Sequence, residues 1–181
     1  GKMDQIISDL VNRRRNGAQR AGNPLLSIHD PKPVIDQMRL FKSVEEIEAL
    51  QRAIAVTSQG FDAAMRHSRV GRYEYQVQAE LESAFRRQGS PRNGYPSIVA
   101  SGGNSCTLHY VTNRAQMQDG DLILIDAGAE VDYYTADITR TWPVNGRFSP
   151  EQRAVYDVVL EAQNKAFEVI APGARFEDVH L

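Results

Sequence analysis

A chain of 181 residues, 41% of them hydrophobic and 24% charged, is long enough to bury one sizeable core, with room for a piece of a second domain. The formal net charge of -2 does not advertise a nucleic acid or an anionic membrane as partner, and the short run Arg13-Arg14-Arg15 reads as a solvated face. No apolar run nears the roughly 18 residues that mark a membrane span, and the lone Cys106 rules out an intrachain disulfide or a cysteine metal cluster and suits a reducing, cytoplasmic setting.

Gly1-Lys2-Met3 reads as a tag remnant ahead of a start, and residues 4–11 as one or two helical turns. Residues 16–33 carry Gly17, Gly22, Asn23, Pro24, Pro31 and Pro33, the composition of a linker or loop. "KPVIDQMRLFKS" then leads into the first long helix. Ser43-Val44-Glu45-Glu46 has the form of a capping box, and Ile47, Leu50, Ile54, Phe61 and Met65 follow at helical spacing. A second helix is predicted from about Tyr73 to Arg87, with Tyr75, Leu81 and Phe85 toward the core and Gly89 as its stop. "SIVAS", "DLILIDAGAE" and "DYYTADITRTWPV" are strand-like and bounded by glycine and asparagine. Ser149-Pro150-Glu151-Gln152 opens a third helix, with a serine cap, a proline in the first turn and a reciprocal glutamine, running to about Ile170 before Pro172-Gly173. Helices, then strands, then a helix argue an α+β fold: a largely antiparallel sheet with helices on one face.

Two aspartates interrupt the strand-like region. If residues 122–130 and 133–142 pair about a two-residue loop at Val131-Asp132, Asp126 sits opposite Asp137. Asp126, Gly128 and Glu130 then share a face with Thr135, Asp137, Thr139 and Thr141, while Ile125, Ala127, Ile138 and Trp142 take the core face. Opposed like charges repel unless a cation lies between them, which suits one hard divalent ion or a bridged pair. The alternative is an offset pairing with both aspartates solvated, since no Asn-Gly or Asp-Gly pair fixes the turn. His109 follows the small-residue run "SGGNSCTL" and reads either as a structural histidine or as a group facing a ligand.

"MRLFKSVEEIEAL", "YPSIVASGGNSCTLHY" and "DGDLILIDAGAEVDYYTADITRTWPVNGRFSPEQRAVYDVVLEAQ" resemble aminopeptidase P, the Xaa-Pro aminopeptidases of the pita-bread metallopeptidases, over about residues 35–175. The resemblance implies that residues 1–40 hold the tag remnant, the end of an N-terminal domain and a linker. Residues 41–181 would form the N-terminal half of a pita-bread catalytic domain. It implies a site with two divalent metal ions, usually manganese, acting on peptides with proline at the second position. Asp126 and Asp137 match metal ligands, His109 a catalytic and substrate-holding histidine, Tyr95 an aromatic of the substrate pocket wall, and Thr139 a partner behind the ligands. The family's other ligands, one histidine and two glutamates, belong to a second half that has no counterpart before Leu181. The expectation is therefore a chain inactive by itself, which associates with a second copy through the exposed edge and apolar face of half a sheet. The competing reading is a non-catalytic pita-bread module that binds peptides or proteins.

Overall fold

The computed structural model describes residues 1–21 and 29–179, which divide into two units, Gly1–Ser43 and Val44–Leu181. In the first, α1 (Lys2–Ala21) is far longer than the predicted one or two turns, and a second helix, α2 (Lys32–Leu40), follows. The expected loop over residues 16–33 is thus helical at both ends, and its positions 22–28 lie outside the described residues. The prolines mislead there. Pro31 is the cap residue of α2 and Pro33 sits in its first turn, where a missing N–H costs nothing and the fixed φ favours the helix.

In the second unit, α3 (Val44–His67) and α4 (Glu74–Arg87) pack together. α3 starts directly after Ser43, as its sequence predicts. Its inward face differs from the one read from spacing. Ile47, Ile54 and Met65 are exposed, and the buried stripe is Ala49, Ala53, Val56, Thr57, Gly60, Phe61 and Ala64. Small residues let α4 come close. The fully buried ring of Phe85 lies so near Gly60 that a Cβ there would sit 2.2 Å from the ring.

On α4, Leu81 and Phe85 are buried as predicted, but Tyr75 is exposed and stacks on Tyr73, the ring centroids 5.2 Å apart. The inward stripe is Glu74, Val77, Leu81, Ala84 and Phe85. Steps of three, four, three and one make one helical face, and the residue that displaces Tyr75 from it is a carboxylate.

The sheet is antiparallel, ordered β1 (Ile98–Ser101), β2 (Leu122–Ala127), β5 (Ile138–Pro143), with a short hairpin of β3 (Glu130–Val131) and β4 (Tyr134–Thr135) inserted before β5. β2 alternates along its length. Ile123, Ile125 and Ala127 are fully buried against Val77, Leu81, Phe85, Val99 and Met117, while Leu122, Leu124 and Asp126 face the other way. Ile138 and Trp142 join the core side as partly buried neighbours. α5 (Pro150–Val169) begins as its sequence predicts: Ser149 Oγ accepts from Gln152 N, and Gln152 Oε1 accepts from Ser149 N. Between α5 and the outer face of β2 and β5 runs a groove of about 650 Å³, lined by Leu122, Leu124, Thr139, Val155, Tyr156 and Val159 among others. No described helix is long and apolar enough to cross a membrane.

Gly60→Ala weighs two effects. Alanine improves helix propensity by about 1 kcal/mol, but a methyl forced against the Phe85 ring overpacks the core at roughly 1–3 kcal/mol. The ring is locked among buried neighbours and has nowhere to move, so the variant is expected to lose stability by urea denaturation. A stabilised variant would show that α3 and α4 are not packed this closely.

Candidate metal centre

The β2–β5 register places Asp126 opposite Thr139, with Ala127 opposite Ile138. This corrects the expectation that Asp126 faces Asp137 directly. The pairing is offset by two residues, because the turn lies at Asp132-Tyr133 and not at Val131-Asp132: both of those residues have positive φ, 51° and 68°. Two consecutive left-handed residues make the mirror-image turn that suits the twist of a hairpin. Aspartate tolerates that conformation, whereas tyrosine is rare in it. The tip is held from outside: Asp132 pairs with Arg52, Glu130 with Arg92 at 2.7 Å, and the Arg92 guanidinium lies 5.2 Å from the Tyr133 ring centre. A slip of two keeps every side chain on its face, whereas a slip of one would reverse them all. Asp126, Asp137, Thr139 and Thr141 therefore still share the outer face.

Tyr95 brings the two aspartates together. Its Oη lies 2.6 Å from Asp126 Oδ1 and 3.0 Å from Asp137 Oδ1. A phenol carries one proton, so it donates to one carboxylate at a time. Burial first, and then hydrogen bonding to both carboxylates, raises the Tyr95 hydroxyl well above the usual phenol range. Tyr95 is thus a neutral donor at physiological pH.

Two glycines make this approach possible. At Gly128, two residues beyond Asp126, a Cβ would lie 1.7 Å from the Ala136 carbonyl oxygen and 3.3 Å from the Tyr95 ring. At Gly94, a Cβ would lie 2.6 Å from Thr135 Cγ2. Gly94 N donates to Gly128 O at 2.8 Å, which draws the segment carrying Tyr95 onto the hairpin. Ala129 N donates to the buried Thr57 hydroxyl at 2.9 Å, fastening the same bend to α3. Sequence reading did not single out Gly94 or Gly128. A glycine next to the phenol and another two residues beyond the acid were the available signal.

The residues present suit a hard divalent cation. Asp126 is half-buried, Asp137 is exposed, and both converge on a single oxygen, offering only carboxylate donors. Among the described residues, no group of three or more His, Cys, Asp or Glu side chains forms a complete cage. His109 is exposed, in the loop between the 3-10 turn Gly102–Cys106 and β2, with φ 56°. No hydrogen bond among the described residues joins it to Asp126, Asp137 or Tyr95. His180 lies outside the described residues.

Comparison with known proteins identifies the family and the fold. Residues 48–181 match the metallopeptidase family M24. The chain is 42% identical over 176 residues to the Xaa-Pro aminopeptidase of Escherichia coli strain K12, covering 97% of this chain and 40% of that protein. The structure of Pseudomonas aeruginosa aminopeptidase PepP superposes with a TM-score of 0.95 at 44% identity, over 99% of this chain and 40% of that one. Zinc-substituted E. coli aminopeptidase P in complex with product superposes at 0.87 and 42% identity, over 92% of this chain and 38% of that one. The chain thus spans about two fifths of the length of these relatives, over which it has the pita-bread architecture of aminopeptidase P. An antiparallel sheet with an aspartate pair on its outer face, aligned from end to end with such proteins, places the chain in metallopeptidase family M24.

Proposed function

We propose that this chain supplies one part of a dinuclear-metal Xaa-Pro aminopeptidase, and that the hydrolysed bond is the one between an N-terminal residue and a following proline. The observation that carries the reading is the convergence of Asp126 and Asp137 on one phenol oxygen, in a chain aligned end to end with such enzymes. Asp126 and Asp137 are the ligands this chain contributes to a pair of divalent ions, manganese by the family resemblance. Bound metal supplies Lewis acidity and a water whose pKa is lowered toward neutrality. Tyr95, held protonated, steadies the two carboxylates, and as an aromatic beside them it also lines the substrate pocket. His109 donates a hydrogen bond to the substrate carbonyl oxygen as negative charge develops there. Residues 1–40 belong to the end of a preceding domain and a linker, and residues 41–181 to the first half of the catalytic domain.

Two carboxylates are fewer ligands than a stable metal pair needs. The 181-residue chain alone is expected to show little heat on titration with micromolar manganese and no cleavage of Xaa-Pro peptides. Robust turnover by the chain alone would overturn the division of the site between this part and another.

The assignment of roles is tested in a chimera in which residues 44–181 replace the matching stretch of the E. coli relative. Such a chimera should cleave Xaa-Pro peptides. Asp126→Asn or Asp137→Asn should cost more than the 10–100-fold typical of partners behind a ligand, and Tyr95→Phe about that range. A folded chimera that binds proline peptides without cleaving them would favour a non-catalytic peptide-binding module. The groove beside α5 also supports self-association of the isolated chain, and light scattering showing a monomer at micromolar concentration would refute it.

A further inference from the structure

Outside the aspartate pair, a second polar cluster surrounds Glu74. This carboxylate is fully buried, yet it begins α4 on the side that faces the core. Five donors converge on it. Ser101 N, Ser101 Oγ and Asn104 Nδ2 reach Oε1 at 2.7, 2.8 and 3.1 Å. Tyr110 Oη and Ala115 N reach Oε2, both at 2.9 Å. A carboxylate offers about four lone-pair sites, so every one is used. Burial pushes Glu74 upward, but the bonds from Asn104, Ala115 and Ser101 outweigh it and hold its pKa below the ordinary glutamate range. The charge is kept, and the first turn of a helix favours it.

The donors come from the end of β1, from the 3-10 turn and from the loop that carries His109. That loop is tied through Ala115 N directly to Glu74, and at two further points. Tyr110, next to His109, donates to Glu74 and also accepts from Asn104 Nδ2 at 3.0 Å. Asn113, itself buried at φ 50°, accepts from Val99 N and donates to Ser97 O and Gln78 Oε1. Between the 3-10 turn and Tyr110, Leu108 and His109 stand exposed, Leu108 at 85%. His109 occupies left-handed backbone, which a side-chain-bearing residue keeps only when its surroundings hold it there.

We propose that Glu74 is a positioning residue for His109: through the Tyr110 hydroxyl it holds the loop so that the histidine stays in its left-handed, outward-facing conformation. The proposal rests on the reading of His109 as a substrate-facing group, and it assigns the histidine's orientation to a carboxylate on a different element of the fold.

The test is made on the 181-residue chain without metal or peptide, by NMR and amide hydrogen exchange, with the His109 ring signals identified from their loss in His109→Ala. Tyr110→Phe removes the hydroxyl link beside His109 and leaves the Ala115 N bond to Glu74 in place. The His109 ring and backbone signals are expected to move toward averaged values. Amides of residues 110–115 should exchange about tenfold faster or more, while Ile123 and Ile125 keep their protection. Glu74→Gln should move the same signals. If that variant fails to fold, Tyr110→Phe still decides. Unmoved His109 signals in Tyr110→Phe would overturn the proposal, and so would protection lost equally at Ile123 and Ile125, which would make the cluster a general core support. Failure of the peptidase reading would show in the chimera assay instead and would leave these signals as predicted.

Discussion

The alternation of β2 is the constraint on which the rest depends. Three of its six side chains, Ile123, Ile125 and Ala127, are sealed against α3, α4 and β1, and the other three face away. A strand buried on one face cannot slip by one residue without turning its apolar set into solvent, which costs far more than any single hydrogen bond. That burial therefore fixes on which side of the sheet Asp126 appears. The acid's direction is decided by the hydrocarbon on either side of it.

Direction alone does not make a site, because the strand pairing sets Asp126 against Thr139 and not against Asp137. The two acids meet through an element distant in sequence. Gly94 and Gly128 remove the side chains that would hold the Tyr95 segment away from the hairpin, and a backbone hydrogen bond between them closes the gap. The phenol then answers both carboxylates without neutralising either. The bend after Ala127 is fixed independently by Thr57 of α3. Helix, loop and hairpin each contribute a constraint to one small volume.

Much of this was legible in the sequence, for identifiable reasons. The start of α5 was fully specified, because a capping box with proline in the first turn is a local signal that tertiary packing did not override. The faces of the hairpin were legible because a period of two survives an error of two in register. The register was not, because the turn uses Asp132-Tyr133, a pair with no turn signature, stabilised by Arg52 and Arg92 from other parts of the chain. The inward stripe of α4 was misread at Tyr75 because a spacing argument favours a large aromatic over an acid. The acid wins when five donors wait for it inside. On α3, Phe61 is buried as its spacing predicts, but Ile47, Ile54 and Met65 are exposed for a related reason: close helix approach selects alanine and glycine at the contact, and spacing rules that count only large apolar groups overlook them.

Glu74 and the aspartate pair are thus two chemically different kinds of carboxylate within this unit. Glu74 is buried and saturated by protein donors, with no lone pair left for a ligand and no route for one to arrive. Asp126 and Asp137 are at least partly open, and they share a single proton donor that can serve only one of them at a time. Like charges brought this close repel, and a cation between them would offset that repulsion. A saturated carboxylate anchors the loop that carries Tyr110, and the partly open pair leaves oxygen lone pairs accessible. Burial and donor count, read together, distinguish the acid enclosed by the fold from the acids left open beside a shared phenol, a distinction that spacing along the chain does not provide.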